Sequence, residues 1–174
     1  MANSDNIYLG PAVVTVSGSL GGITYDGFDL GSFTSDGVTL TVSTETVDVT
    51  TDQTGTAPAK VFLGGQTATI TTPMQEETFD NLYMGLPGAV SGTNNRIDFG
   101  RAAGYDITSN WSARLTITPI NANRDKWEFY KCVPAGDVSP SFNSSGETVV
   151  SLEWRALPDT SLDDGKRLGY RESQ

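Results

Sequence analysis

The chain has 174 residues, a net charge of −10 and no histidine. That length suits one domain with a core of its own, and the missing imidazole excludes a Ser-His-Asp triad, a Cys-His pair and any histidine-ligated metal. The single cysteine, Cys132, cannot close an intramolecular disulfide and reads as a small strand residue. Nineteen glycines with abundant Thr, Ser and Val favour turn-rich β structure over a helical bundle.

The charge is unevenly placed. Residues 1–90 hold ten acids and one base, Lys60, whereas residues 91–174 hold eleven acids and ten bases. A surface built from the first half repels phosphate, which disfavours tight nucleic-acid binding; the same charge also serves as a plain solubilising surface. No apolar run reaches the roughly 20 residues of a membrane-spanning helix. Met1 to Asn6 lacks a basic-then-apolar leader pattern, so folding in a cytoplasm is expected. Two glycosylation triplets, at Asn110 and Asn143, then read as chance.

Along the chain, Ile7 to Ser17 predicts a first strand with Val14 and Val16 on one face and Val13 and Thr15 on the other. Ser19 to Gly37 reads as a loop or a short additional hairpin around Tyr25-Asp26-Gly27-Phe28. Next comes a long β-hairpin over residues 38–72. Its segments Val38 to Thr51 and Ala59 to Thr72 are linked by the polar stretch Asp52 to Pro58. Val38, Leu40 and Val42 alternate with Thr39, Thr41 and Ser43, and the phase then flips to Val47 and Val49. A flip implies a bulge or a change of neighbour. Fourteen residues of strand reach roughly 45 Å, beyond the span of an ordinary strand. Such a ribbon has free edges that invite pairing with another chain.

A helix is predicted over residues 73–86. Thr72 is its N-cap, Pro73 its first residue and Gln75 the partner in a capping box, with Phe79, Leu82, Tyr83 and Leu86 forming an apolar stripe for the core. Ala89 to Asn110 reads as a loop excursion with a short strand at Ile97 to Phe99. Two further strands follow, one with Trp111, Ala113, Leu115 and Ile117 on one face, the other with Trp127, Phe129 and Lys131 alternating with Glu128, Tyr130 and Cys132. Glu147 to Leu157 reads as the last strand, with Val150, Leu152 and Trp154 inward. Residues 1–158 thus make one β domain, and 159–174 a polar arm that orders against a neighbour or stays mobile.

Motifs for chemistry are few. Glu45 with Asp48, and Glu76 with Glu77, are formal carboxylate pairs for glycoside hydrolysis, but acids in a helix's first turn and acids alternating with threonine have reasons of their own. Asp163-Asp164-Gly165 lacks the spaced acids and closing Glu of a calcium loop. Gly100 to Gly104 reads as a turn. Tyr25 and Phe28 leave a weak option of sugar binding. The expectation is a protein that is not an enzyme and carries neither cofactor nor metal.

The order of several segments resembles the major tail tube proteins of long-tailed bacteriophages and related gene transfer agents. The residues concerned are Asn6-Ile-Tyr-Leu-Gly-Pro11, the Val47-Asp-Val-Thr-Thr-Asp-Gln53 stretch and Glu77-Thr-Phe-Asp-Asn-Leu82. Further along they are Gly100-Arg-Ala-Ala-Gly104, Tyr130 to Val138 and Ala156-Leu-Pro-Asp159. The resemblance implies an all-β sandwich or barrel with a protruding hairpin and a flanking α-helix. Six subunits close into a ring, and rings stack into a hollow tube for DNA ejection. It further implies partners in the tape measure protein and the terminator or tip proteins, DNA passing the lumen without tight binding, no membrane contact, and a place in the virion tail after assembly in the bacterial cytoplasm.

On that reading Thr39, Thr41, Ser43, Glu45, Asp48, Thr50 and Asp52 are candidates to face the lumen or touch ring neighbours, and Gln53, Thr54, Gly55 and Thr56 are candidates for inter-ring contact. The alternatives are a carbohydrate-binding or adhesive β-sandwich of a tail tip or capsid decoration, a tail terminator ring, and a tube component of a contractile secretion system.

Overall fold

Alternation of β-branched and polar residues builds this molecule. The computed structural model describes residues 11–31, 33, 37–50, 57–138, 140 and 149–174. Among them the elements are β1 (Ala12–Leu20), β2 (Ile23–Asp29), β3 (Thr39–Val49), β4 (Lys60–Met74), α1 (Phe79–Met84), β5 (Val90–Ser91), β6 (Ile97–Asp98), α2 (Ile107–Asn110), β7 (Trp111–Pro119), β8 (Lys126–Pro134), β9 (Val150–Ala156) and β10 (Gly169–Glu172).

Eight strands form one antiparallel sheet in the order β2-β1-β7-β8-β9-β4-β3, with β10 also paired to β8; β5 and β6 make a separate two-stranded piece. Phe33, just beyond β2, bridges to Met74 at the end of β4, so the two ends of the sheet approach each other around the core. That core takes Val14 and Val16 from β1, alternate residues Trp111 to Ile117 from β7, and Val150, Leu152 and Trp154 from β9. The faces assigned from alternation on these three strands are the faces observed.

Two turns show why glycine is placed where it is. β1 and β2 join through Gly21 and Gly22, whose φ of 59° and 92° suit the two-residue hairpin turn that matches strand twist. A Cβ at Gly21 would fall on the Trp111 ring and the Tyr83 hydroxyl, whereas one at Gly22 meets open space. Within segment 19–37 the short hairpin is therefore the one β2 makes with β1; its turn lies at Gly21-Gly22, and Tyr25 to Phe28 belong to strand β2.

The helix differs from the expected 73–86. β4 runs through Thr72 and Pro73 to Met74, and α1 is capped by Thr78, whose hydroxyl accepts from the Asn81 N–H at 3.2 Å. Thr72 is taken by the core: its buried Oγ1 donates to the Leu152 carbonyl and receives the Trp154 indole N–H. Pro73 lies beyond the last β3 pair, Thr39 with Thr71, so its missing N–H interrupts no β3–β4 pairing among the described residues. Of the apolar stripe, Tyr83 is fully buried and Phe79, Leu82 and Leu86 pack partly buried on the core.

β8 also departs from strict alternation. Leu115 pairs with Phe129 but Ala113 pairs with Cys132, so β8 carries one extra residue, and both Phe129 and Cys132 face inward. Residues 159–174 do not form a free arm: β10 lies on β8, with Tyr170 opposite Glu128. The Tyr170 hydroxyl donates to Glu128 at 2.9 Å, Arg171 pairs with Asp125, and a Cβ at Gly169 would strike the Glu128 carbonyl, so glycine is needed for the strand to seat.

Gly21→Ala is expected to cost about 2–4 kcal/mol, from left-handed backbone plus collision in a packed core. Gly22→Ala has only the backbone cost, about 1 kcal/mol. Thermal unfolding of the two variants should therefore show a clearly larger drop for the first; equal drops would contradict this packing.

Candidate assembly surface

β3 and β4 share the sheet only at their roots. β4 pairs with β9 from Met74 to Ala68 and no further, while β3 has β4 as its sole strand neighbour among the described residues. Beyond Ala68 the two strands project as a ribbon whose outer edges have no strand partner among the described residues. Ala68, Ile70, Thr72 and Met74 are buried, but every residue from Lys60 to Gly64 is exposed, as is every residue from Thr41 to Val49.

Register determines what each face of the ribbon carries, because directly opposed residues point the same way. One face of the root has Leu40 opposite Ile70 and Val42 opposite Ala68, and it looks toward the core. The other has three opposed hydroxyl pairs, Thr39 with Thr71, Thr41 with Thr69 and Ser43 with Thr67, followed by Glu45 opposite Gly65. At the next step the register shifts: Thr46 pairs with Leu63, which leaves Gly64 as the extra residue. The phase flip seen in β3 is therefore answered by a bulge in β4, while β3 itself alternates without interruption.

The consequence is a distal half that is apolar on both sides. Val47 opposite Phe62, with Val49 beyond, continues the hydroxyl face, and Leu63 and Val61 continue the core-side face. Their exposures are 51% for Val47, 54% for Phe62, 64% for Leu63 and 58% for Val61. Scattered exposed apolar residues need no explanation, but a contiguous two-sided set on unpaired strands marks a contact surface.

Of the lumen or ring-contact candidates, Thr39, Thr41, Ser43 and Glu45 share one face. Asp48 lies opposite Val61 on the other face, so the structure does not bring it together with them. Uninterrupted alternation along β3 is the reason, since Glu45 and Asp48 are three residues apart; the same separation removes them as a carboxylate pair. Thr50 is exposed just past the strand. Asp52, Gln53, Thr54, Gly55 and Thr56 lie outside the described residues.

Other candidate chemistry is occupied structurally. The Tyr25 ring is buried, packs edge-on to Phe28 at 5.3 Å and donates its hydroxyl to Asp80 at 3.0 Å, so Tyr25 is not free to act as a stacking platform for a sugar. Asp163 and Asp164 pair with Lys166 and Arg167. Glu128, only 8% exposed, sits between Arg114, Lys126 and Tyr170, and that hydrogen bond raises the Tyr170 phenol above its ordinary range.

Sequence reasoning missed a second surface. An open slot of about 480 Å³ runs between the ribbon root and the carboxyl-terminal strand β10, walled by Val42, Leu63 and Ala68 on one side and Trp127, Phe129 and Leu168 on the other. Taking 159–174 as a free arm concealed it, because the slot exists only when β10 is seated.

Against known proteins, no family model matches the chain and no curated protein does. Among solved structures, the chain is similar to one from the cryo-EM structure of an extracellular contractile injection system, the PVC sheath–tube complex in its extended state. The TM-score is 0.52 at 15% identity, over 98% of this chain and 94% of that one. At that identity the likeness is one of fold, and it extends over nearly the whole of both chains.

Two measurements check the surface. Val47→Thr and Phe62→Thr should each change the stability of the monomer by less than about 1 kcal/mol, whereas Ile70→Ala should cost about 2–5 kcal/mol, read by chemical denaturation of dilute protein. Burial pushes the Cys132 thiol up to about 12. At pH 8 almost none is thiolate, so thiol reagents should label it only after unfolding.

Proposed function

We propose that this chain is a structural subunit that assembles with copies of itself into rings stacked as a hollow, tail-like tube, and that it has no catalytic role. The observation that carries the reading is the two-stranded ribbon, with unpaired edges and apolar side chains on both faces. Among the described residues nothing of the monomer covers it. Cyclic assembly pairs the edges with neighbouring subunits and covers the apolar side chains of the distal half, which removes the aggregation hazard. The whole-chain likeness in fold to a subunit of a sheath–tube complex supports the reading.

On this proposal the finer picture is that of the tail tube: six copies to a ring, tape measure and terminator or tip proteins as partners, and a tail assembled in the bacterial cytoplasm that conducts DNA. The hydroxyl face of Thr39, Thr41, Ser43, Thr67, Thr69 and Thr71 lines the lumen. Hydroxyls hold water and bind phosphate weakly, and Glu45 adds one repelling carboxylate per subunit, so a passing chain stays hydrated and unbound. Asp48 faces the subunit side and takes no part in the wall.

A second reading shares the tube and differs in setting. The structural neighbour belongs to a contractile injection system, so the tube is one enclosed by a sheath. Particles isolated from producing cells separate the two by showing a sheathed or a bare tail.

Electron microscopy of purified protein over a concentration series tests the proposal. Hollow tubes or stacked rings are expected, and Val47→Lys with Phe62→Lys should abolish them while leaving a folded monomer. Single unstacked rings would favour a terminator, and a parent protein that stays monomeric at high concentration would refute self-assembly.

A further inference from the structure

The slot beside the ribbon has a particular origin. β9 runs along β8 as far as Leu157, whose N–H donates to the Lys131 carbonyl. The chain then detours and returns at Leu168, whose carbonyl accepts from the Tyr130 N–H, and β10 continues along the same flank of β8. β9 and β10 thus occupy one lane. Where β9 fills it, β4 is paired; where β10 fills it, β4 has moved away. The slot lies between them, bounded by Gly65 and Gln66 of β4 and by Gly169 to Arg171 of β10. β10 pairs only with β8 among the described strands, so its outer edge is open toward the slot.

Resting on the self-assembly reading above, we propose that this slot receives the projecting ribbon of a second copy of the chain, which enters by its Val47 and Phe62 face. Three observations select that occupant. Val42, Leu63, Trp127 and Leu168 give the slot apolar side chains that are at least partly exposed, which call for an apolar insert, and the ribbon carries exposed apolar residues of its own. Leu63 and Val42, on the core-side face, already wall the ribbon's own slot, so the opposite face is the one left for another copy. One charge at the margin also matches: the entering face has Lys60 opposite Val49, and the slot is lined by Asp164, whose side chain is 96% exposed.

Each copy therefore presents one insert and one receptor at different places. A contact of this kind is head-to-tail, and it propagates as a ring or helix and does not stop at a dimer. The carboxyl-terminal strand acquires a role as well: seated by Tyr170 on Glu128 and by Arg171 on Asp125, it forms the far wall of the receptor.

The test mixes two full-length variants, Val47→Cys and Leu168→Cys, under oxidising conditions. A disulfide between them can only join different chains. A species of twice the chain mass is expected in the mixture and in neither variant alone, since native Cys132 is buried. In parallel Val42→Asp, at a half-exposed wall position, should keep the monomer folded by circular dichroism and lose assembly, because docking would bury a carboxylate against apolar walls. Tubes without the mixed disulfide, or tubes formed by Val42→Asp as readily as by the parent, overturn the slot contact and leave self-assembly standing. A mixed disulfide without rings or tubes upholds the contact and overturns the tube. Absence of both overturns both.

Discussion

Between β8 and β4 the chain lays down β9 as far as Ala156, detours, and resumes against β8 alone as β10. The pairing of β4 with β9 is the contact on which the rest depends. It is anchored by buried Ile70, Met74, Leu152 and Trp154, with the Trp154 indole bonded to Thr72. It holds one half of a fifteen-residue strand rigidly in the core. Its termination at Ala68 frees the other half, so a single strand is core at one end and surface ribbon at the other. Had β9 continued for four more residues, the ribbon root would have been an ordinary central strand, with neither slot nor free inner edge.

The energetic argument for assembly follows from that division. Val47, Val49, Val61, Phe62 and Leu63 are each about half-exposed, and completing their burial is worth roughly 1 kcal/mol apiece. Unpaired backbone groups along both ribbon edges add hydrogen bonds that neighbours can supply. The hydroxyl pairs at the root make the opposite contribution. Thr and Ser keep the backbone extended through β propensity while offering a solvated face, so that part of the ribbon stays straight without becoming adhesive.

Much of this was legible in the sequence because strands with one wet and one dry face declare themselves by alternation. Val14 and Val16, Trp111 to Ile117, and Val150 to Trp154 are such cases, and so is the phase flip between Val42 and Val47. Legibility failed where a local signal was outweighed by a distant partner. Thr72-Pro73 carries the chemistry of a helix start, yet Leu152 and Trp154 hold Thr72 in the sheet, and the cap passes to Thr78. The β8 bulge is invisible in β8 itself, since only its pairing with β7 reveals the extra residue. The polarity of 159–174 hid a strand whose partners, Glu128 and Asp125, lie more than 40 residues away.

The bulge at Gly64 is what gives the distal ribbon exposed apolar side chains on both faces. In an unbulged hairpin, alternation on both strands stays in phase, so a ribbon apolar on one face is polar on the other and can bury only one side. Here β3 changes the face of its apolar residues in sequence, through Val47 and Val49, and β4 inserts one residue so that Leu63 and Val61 keep the original face. The two strands then supply the two faces separately: Val47 and Val49 of β3 with Phe62 on one, and Leu63 and Val61 of β4 on the other. Glycine permits the shift, since a Cβ at Gly64 would crowd Glu45 and Val47 on the face that carries Phe62. A one-residue insertion in one strand thus converts a one-sided hairpin into a two-sided connector, which is what a subunit needs if it is to contact one neighbour through its own slot and another through that neighbour's.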